Sequence, residues 1–200
     1  MTKNSNDLFE NRVSKHFLFN SLNAVASLCY TDPGAAAELV IELSTFLQKS
    51  LKKAPLITLA EEMEHVISYI NIQKTRFSNR LEIALDIEKN INCWLPSFTL
   101  QPIVDNAIIH GVLKRRQGGT VLLSVQSSPQ GIQFKVTDNG IGINTDRLTS
   151  LLNTSNKHHS IFQVDYKLKA NGFYGLAIDS TEGRGTEVSF TIPSSAPSAI

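Results

Sequence analysis

The chain is predicted to be α+β: a helical hairpin followed by a sandwich with helices on one face of a mixed sheet. Three observations predict this. Apolar residues recur at helical spacing on both sides of Asp32-Pro33-Gly34. A strict period-two stretch, Leu81 to Ile87, follows a third helical pattern. The remaining segments run in the order helix, strands, loop, strands.

Each element has a local cause. From Leu8 to Leu28 the residues Val13, Phe17, Val25 and Leu28 hold one face of a helix, with Asn20 as a polar break. Tyr30 to Gly34 punctuates the chain as Asp-Pro-Gly turns do, and Ala35 to Leu51 resumes the helical pattern through Leu39, Leu43, Phe46 and Leu47. Such a hairpin cannot bury its apolar stripe alone, which predicts a dimeric four-helix bundle. After Pro55, the run Thr58-Leu59-Ala60-Glu61 reads as a capping box opening a helix to about Arg76. Leu81 to Ile87 is a half-buried strand. A second long helix is expected from Phe98 to about Leu113, with Pro102 near its first turn, where proline is tolerated. Thr120–Gln126 and Gln133–Asp138 form a hairpin across Pro129-Gln130-Gly131. Asn144 to His159 is a polar loop, Gln163 to Lys169 a short helix, and Tyr174–Ser180 with Thr186–Ile192 close the sheet. The expected domains are 1–56, 57–194 and a frayed tail, 195–200.

Composition narrows the function classes. With 42% hydrophobic and 18% charged residues the chain is ordinary for a soluble globular protein. A formal net charge of +1 argues against nucleic acid as a partner, since phosphate-backbone binding needs a clustered positive excess. Lys114-Arg115-Arg116 is the only dense basic run. Cys29 and Cys93 have no ligand-like spacing and read as two reduced thiols. No apolar run approaches the roughly 20 residues of a membrane span, and the start MTKNSND is no signal peptide, so a soluble, cytoplasmic chain is expected.

Four clusters carry chemistry. On the first helix His16 is followed by Asn20 one turn on, where an amide can orient an imidazole nitrogen or a water, with Phe17, Leu18 and Phe19 expected to shield the site. A neutral imidazole is the majority form near pH 7 and is a competent nucleophile toward a γ-phosphorus held in line. On the second long helix Asn106, His110 and Lys114 stand at i, i+4 and i+8 and form one polar stripe. Asn106 offers an oxygen to Mg²⁺, and His110 and Lys114 offer donors to phosphate. Asp138-Asn139-Gly140-Ile141-Gly142 ends a strand: Asp138 can accept from an exocyclic amine such as adenine N6, and Gly140 and Gly142 permit close backbone approach. Gly183-Arg184-Gly185-Thr186 is a turn whose Thr186 adds a hydroxyl beside a base. Taken singly these are a core histidine, a solvated helix face and two hairpin turns; in this order they point to a nucleophile and an ATP-Mg²⁺ site.

With these residues in place, the chain resembles the LytS-like sensor histidine kinases, whose catalytic domain is of the GHKL type. The resemblance runs from about Leu8 to Pro193. HFLFNSLN is similar to the phosphoacceptor box, which implies His16 as the phosphorylated residue and Asn20 as the residue that positions water in dephosphorylation. Gln101 to Gly111 is similar to the N box, which implies a role for Asp105 as its carboxylate and Asn106 as its metal ligand. DNGIGI is similar to the adenine box and GRGT, with Gly185, to the closing glycine box. The resemblance implies ATP and Mg²⁺ as cofactors, a homodimer, a response regulator receiver domain as partner, and a separate sensor or membrane partner. Three positions depart from the pattern: Ser14-Lys15 replace Asn-Pro, Asp105 replaces Glu, and His158-His159-Ser160-Ile161 with Gln163 replace a Gly-x-Gly-Leu box and its Asn. Two readings follow: an ATP-dependent kinase that phosphorylates His16 and passes the phosphoryl group to a regulator, or a degenerate pseudokinase that docks a regulator or binds nucleotide without turnover.

Overall fold

The computed structural model describes residues 15–51, 54–77, 79–144 and 160–193. The expected loop from Asn144 to His159, the tail 195–200 and the start of the first helix before Lys15 lie wholly or almost wholly outside them. Helix α1 is Lys15–Thr31 and α2 is Pro33–Ser50. They are followed by β1 (Leu56–Thr58), α3 (Leu59–Phe77), β2 (Leu81–Ile87), β3 (Trp94–Pro96), α4 (Leu100–Asn106), β4 (Gly119–Ser128), β5 (Gly131–Asp138), α5 (Ser160–Ala170), β6 (Ala177–Thr181) and β7 (Gly185–Ile192). The described residues divide into two compact units. One holds the residues up to Ala54 and α3 from Met63 onward; the other holds Pro55 to Glu62 and everything from Asn79. α3 is thus shared, with Leu59 to Glu62 in the second unit and Met63 onward grouped with the hairpin.

In the helical unit a single residue, Asp32, separates α1 from α2. Its carboxylate accepts from the Ala35 backbone N–H at 3.0 Å, and Pro33 takes the first helical position, where its missing N–H costs nothing. That is why α2 begins before the expected Ala35. The unit closes on aromatic rings. Phe17 lies 5.2 Å from Phe46 and 5.3 Å from Tyr69, and Phe46 stacks on His65 at 4.8 Å, with Leu39, Leu43, Val66 and Ile72 buried around them.

The second unit is a five-stranded sheet in the order β2-β4-β5-β7-β6. β2 runs parallel to β4 and the other pairs are antiparallel, so the sheet is mixed. Alternate residues point inward: Val121, Leu123 and Val125 on β4, Phe134 and Val136 on β5, Val188, Phe190 and Ile192 on β7. Phe134 and Phe190 stack at 4.6 Å. The helical segment that starts with α4 lies on β4, β5 and β7, and α5 packs on α4. A small antiparallel ribbon pairs β1 with β3. Three residues per strand give no readable alternation, so the sequence offered no sign of it.

The second long helix differs from expectation at both ends. It starts at Leu100, not Phe98, because Phe98 sits at φ 58°. Glu62 of α3 sets that start: its carboxylate accepts from the backbone N–H groups of Phe98 at 3.0 Å, Thr99 at 2.8 Å and Leu100 at 2.7 Å. Lys167 Nζ donates to the Ser97 and Phe98 carbonyls of the same turn, at 2.9 and 3.3 Å. Burial raises the Glu62 pKa, while the three donors and Lys167 pull it back. Three N–H groups need both oxygens as acceptors, so the carboxylate form is the one this geometry holds. At its other end the helix widens into a π-helical turn, Ala107–Gly111, and tightens into a 3₁₀ turn, Val112–Lys114. The capping box at Thr58 forms as expected: Thr58 N–H donates to Glu61 Oε2 at 3.0 Å, and Glu61 N–H to Thr58 Oγ1 at 3.3 Å.

Candidate phosphoacceptor helix and nucleotide cavity

His16 lies on the exposed face of α1, and Asn20 one turn on places Nδ2 2.9 Å from Nε2 and 3.2 Å from Nδ1. The amide therefore touches the nitrogen edge of the ring, and solvent reaches the imidazole. The expected aromatic shield is split. Phe17 is buried and anchors the helix, whereas Phe19 is 65% exposed. Helical spacing puts the two residues on opposite sides of His16, and only Phe19 stays on the exposed face, because Phe17 is drawn into the packed aromatic rings.

In the catalytic unit one cavity of roughly 200 Å³ gathers three of the sequence-predicted clusters. Asn106, His110 and Lys114 line it from the α4 segment, Asp138 and Gly142 from the end of β5, and Thr186 from the start of β7. The polar stripe survives the π-helical turn. Ile103, Ile141, Ile178 and Val188 supply an apolar wall, the composition a purine ring requires. Asp105, the N-box carboxylate, does not belong to the lining: it is half-buried and one position from Asn106, a rotation of about 100° away from the cavity.

Asp138 is buried and held in place. Its Oδ1 accepts from Gly140 N–H at 2.7 Å. Burial pushes its pKa above the ordinary value, with the Gly140 and Thr186 backbone donors acting against the rise. Close backbone approach is what the surrounding glycines provide. A Cβ at Gly111 would meet the Asp138 carboxylate at 2.6–2.9 Å, and one at Gly140 would run into the Gly111 backbone. Gly185 lies under the Asp138 carbonyl rather than in the cavity.

Asn106 spends both amide hydrogens inside the protein, on the Pro102 carbonyl at 2.6 Å and on Ser160 Oγ at 2.7 Å. The atom it offers a ligand is therefore Oδ1, the hard oxygen that Mg²⁺ takes. Among the described residues no three His, Cys, Asp or Glu side chains gather as a metal site, so a single Asn oxygen fits an ion that arrives already bound to phosphates.

Reasoning from sequence missed Ser180 and Ser160. Ser180 Oγ lies 2.9 Å from Thr186 Oγ1 and 3.0 Å from the Gly185 carbonyl, and it accepts from Ile143 N–H at 2.8 Å, fixing the adenine-box loop to the sheet edge. Its signal was its register opposite Thr186. Ser160 carried none, since its partner is 54 positions away. Ile161 and Phe162, in the altered lid box, line the cavity; His158 and His159 lie outside the described residues.

Comparison with known proteins agrees with this geometry. Residues 6–81 match the family described as Histidine kinase, and residues 97–196 match Histidine kinase-, DNA gyrase B-, and HSP90-like ATPase. The uncharacterized protein YwpD of Bacillus subtilis is 36% identical over 188 residues, covering 92% of this chain and 68% of that protein. The sensor protein LytS of Bacillus anthracis is 34% identical over 192 residues, 91% of this chain but 33% of that protein, so the chain spans about a third of that relative. The histidine kinase domain of the Erythrobacter litoralis blue-light activated kinase EL346 shares the fold, with a TM-score of 0.53 at 18% identity over 94% of this chain and 92% of that one. The chain belongs to the histidine kinase family, the ATP-dependent protein kinases of two-component signalling. Within it, the chain is similar to the LytS sensors.

Proposed function

We propose that the chain binds ATP with Mg²⁺ in the catalytic-unit cavity and transfers the γ-phosphoryl group to His16. The observation that carries this reading is the convergence of Asn106, His110, Lys114, Asp138 and Thr186 on one cavity from segments 80 residues apart in sequence (106 to 186). Asp138 accepts the exocyclic amine of the base, and its buried, hydrogen-bonded position discriminates against a base that presents a carbonyl there. His110 and Lys114 meet phosphate oxygens. Asn106 Oδ1 would hold Mg²⁺, which when bound would supply charge neutralisation on the phosphates. The imidazole nitrogen of His16 forms a bond to the γ-phosphorus, the bond from that phosphorus to the bridging oxygen breaks, and ADP carries the electron pair away while the ring proton passes to solvent. Asp105, outside the cavity, is not needed, since a histidine nucleophile requires no water-activating base.

The phosphoryl group then passes to the aspartate of a response regulator receiver domain. Dimerisation is supported by the unfilled apolar surface of the hairpin, where Phe19, Leu22, Val40 and Ile41 are exposed. No helix among the described residues is long and apolar enough to cross a membrane. The altered lid box is what motivates the pseudokinase reading, but among the described residues neither the imidazole nor the cavity is closed off.

Incubation with γ-labelled ATP tests the assignment. Label on the protein should be acid-labile and alkali-stable, and absent from His16→Gln while that variant still binds ATP. Persistent label in His16→Gln overturns it.

A further inference from the structure

We propose that Ser160 is the positioning residue that aims Asn106 at the cation of the bound nucleotide. The proposal rests on the nucleotide reading above. An asparagine amide has two N–H donors and one carbonyl oxygen, and rotation about its terminal bond decides which of them a ligand meets. Here both donors have fixed destinations. One, the Pro102 carbonyl at 2.6 Å, belongs to the preceding turn of the same helix, an interaction available to any asparagine four residues on. The other is tertiary: Ser160 Oγ at 2.7 Å, from the first residue of α5. Two acceptors at two points define the plane of the amide, whereas one leaves it free to swing about that bond. With the plane set, Oδ1 is the atom left for a cation.

Ile161 and Phe162, the next residues of α5, line the cavity, so Ser160 stands at the edge of the site that Asn106 enters. A glycine at this position has no side-chain atom with which to accept. The serine hydroxyl thus replaces, by a side chain, an alignment that a Gly-x-Gly lid cannot supply in that way. Ser160 acts through Asn106 and need not touch nucleotide or metal itself.

The full chain is titrated with a fluorescent, non-hydrolysable ATP analogue, once in Mg²⁺ and once in EDTA. The ratio of the two affinities measures what the cation adds. Ser160→Ala and Ser160→Gly are expected to cut that ratio about threefold to tenfold, the worth of one hydrogen bond, and to leave binding in EDTA unchanged. Ser160→Thr, which keeps the hydroxyl, should restore it; a merely structural role would lower affinity in both conditions alike. Asn106→Ala should abolish the ratio. A ratio kept in Ser160→Ala but lost in Asn106→Ala overturns the role of Ser160 alone. One kept in both overturns the assignment of Asn106 beneath it.

Discussion

The helical unit presents its reactive group on a surface, and the catalytic unit builds its group inside a cavity. His16 and Asn20 are four residues apart on one helix, so forming α1 is enough to bring them together. Asp138 reaches its geometry only when Gly111, Gly140 and Thr186, from three separate elements, close around it. A site that depends on one helix tolerates substitution nearby. A site that depends on several backbones meeting within van der Waals contact does not.

The sharpest way to break this contrast is Gly111→Ala. The added methyl group would sit 2.6–2.9 Å from the Asp138 carboxylate, which cannot retreat without leaving Gly140 N–H. Overpacking of this kind costs about 1–3 kcal/mol, or roughly 5- to 150-fold in affinity for an ATP analogue. Titration of the variant, with circular dichroism to confirm folding, checks it; wild-type affinity would show that the cavity is not built as described.

A smaller effect should come from acidification. Burial raises the Asp138 pKa, so its carboxylate gains a proton at a higher pH than an exposed aspartate, and nucleotide affinity should begin to fall there. Stability moves the other way: a raised folded-state pKa adds stability below the ordinary aspartate value, and the contribution is lost as pH rises through the raised one. His110, also on the cavity lining, gains phosphate attraction on protonation, so the Asp138→Asn difference profile is needed to isolate Asp138. If that variant keeps the wild-type pH profile, Asp138 does not control it.

The smallest change is expected at the exposed pair. Asn20→Ala removes one solvent-exposed amide contact, worth about 0.2–0.5 kcal/mol, and should alter the rate of His16 labelling by less than about threefold. A hundredfold loss would mean that Asn20 takes part in the transfer and does not merely steady the ring.

Legibility followed the same divide. α1, α2, the capping box at Thr58 and the alternating strands could be read directly, because spacing of 3.6 or 2.0 residues is written in neighbouring positions. So could Asn106, His110 and Lys114, which one helix must align. Missed were the β1–β3 ribbon, the late start of α4, and Glu62. A glutamate among Leu59, Met63 and Val66 reads as a flaw in an apolar face until the bare N–H groups of Phe98, Thr99 and Leu100 are seen around it.

The sequence by itself determined the helical hairpin, the order of helices and strands, the histidine with its amide one turn on, and the residues from which a nucleotide site is assembled. Each of these follows from local periodicity or residue chemistry. Tertiary structure alone decided that α3 from Met63 onward groups with the hairpin, that Glu62 caps the turn before α4, and that Ser160 grips Asn106. Those outcomes depend on which distant backbones arrive at the same point, and no pattern along the chain encodes that distance.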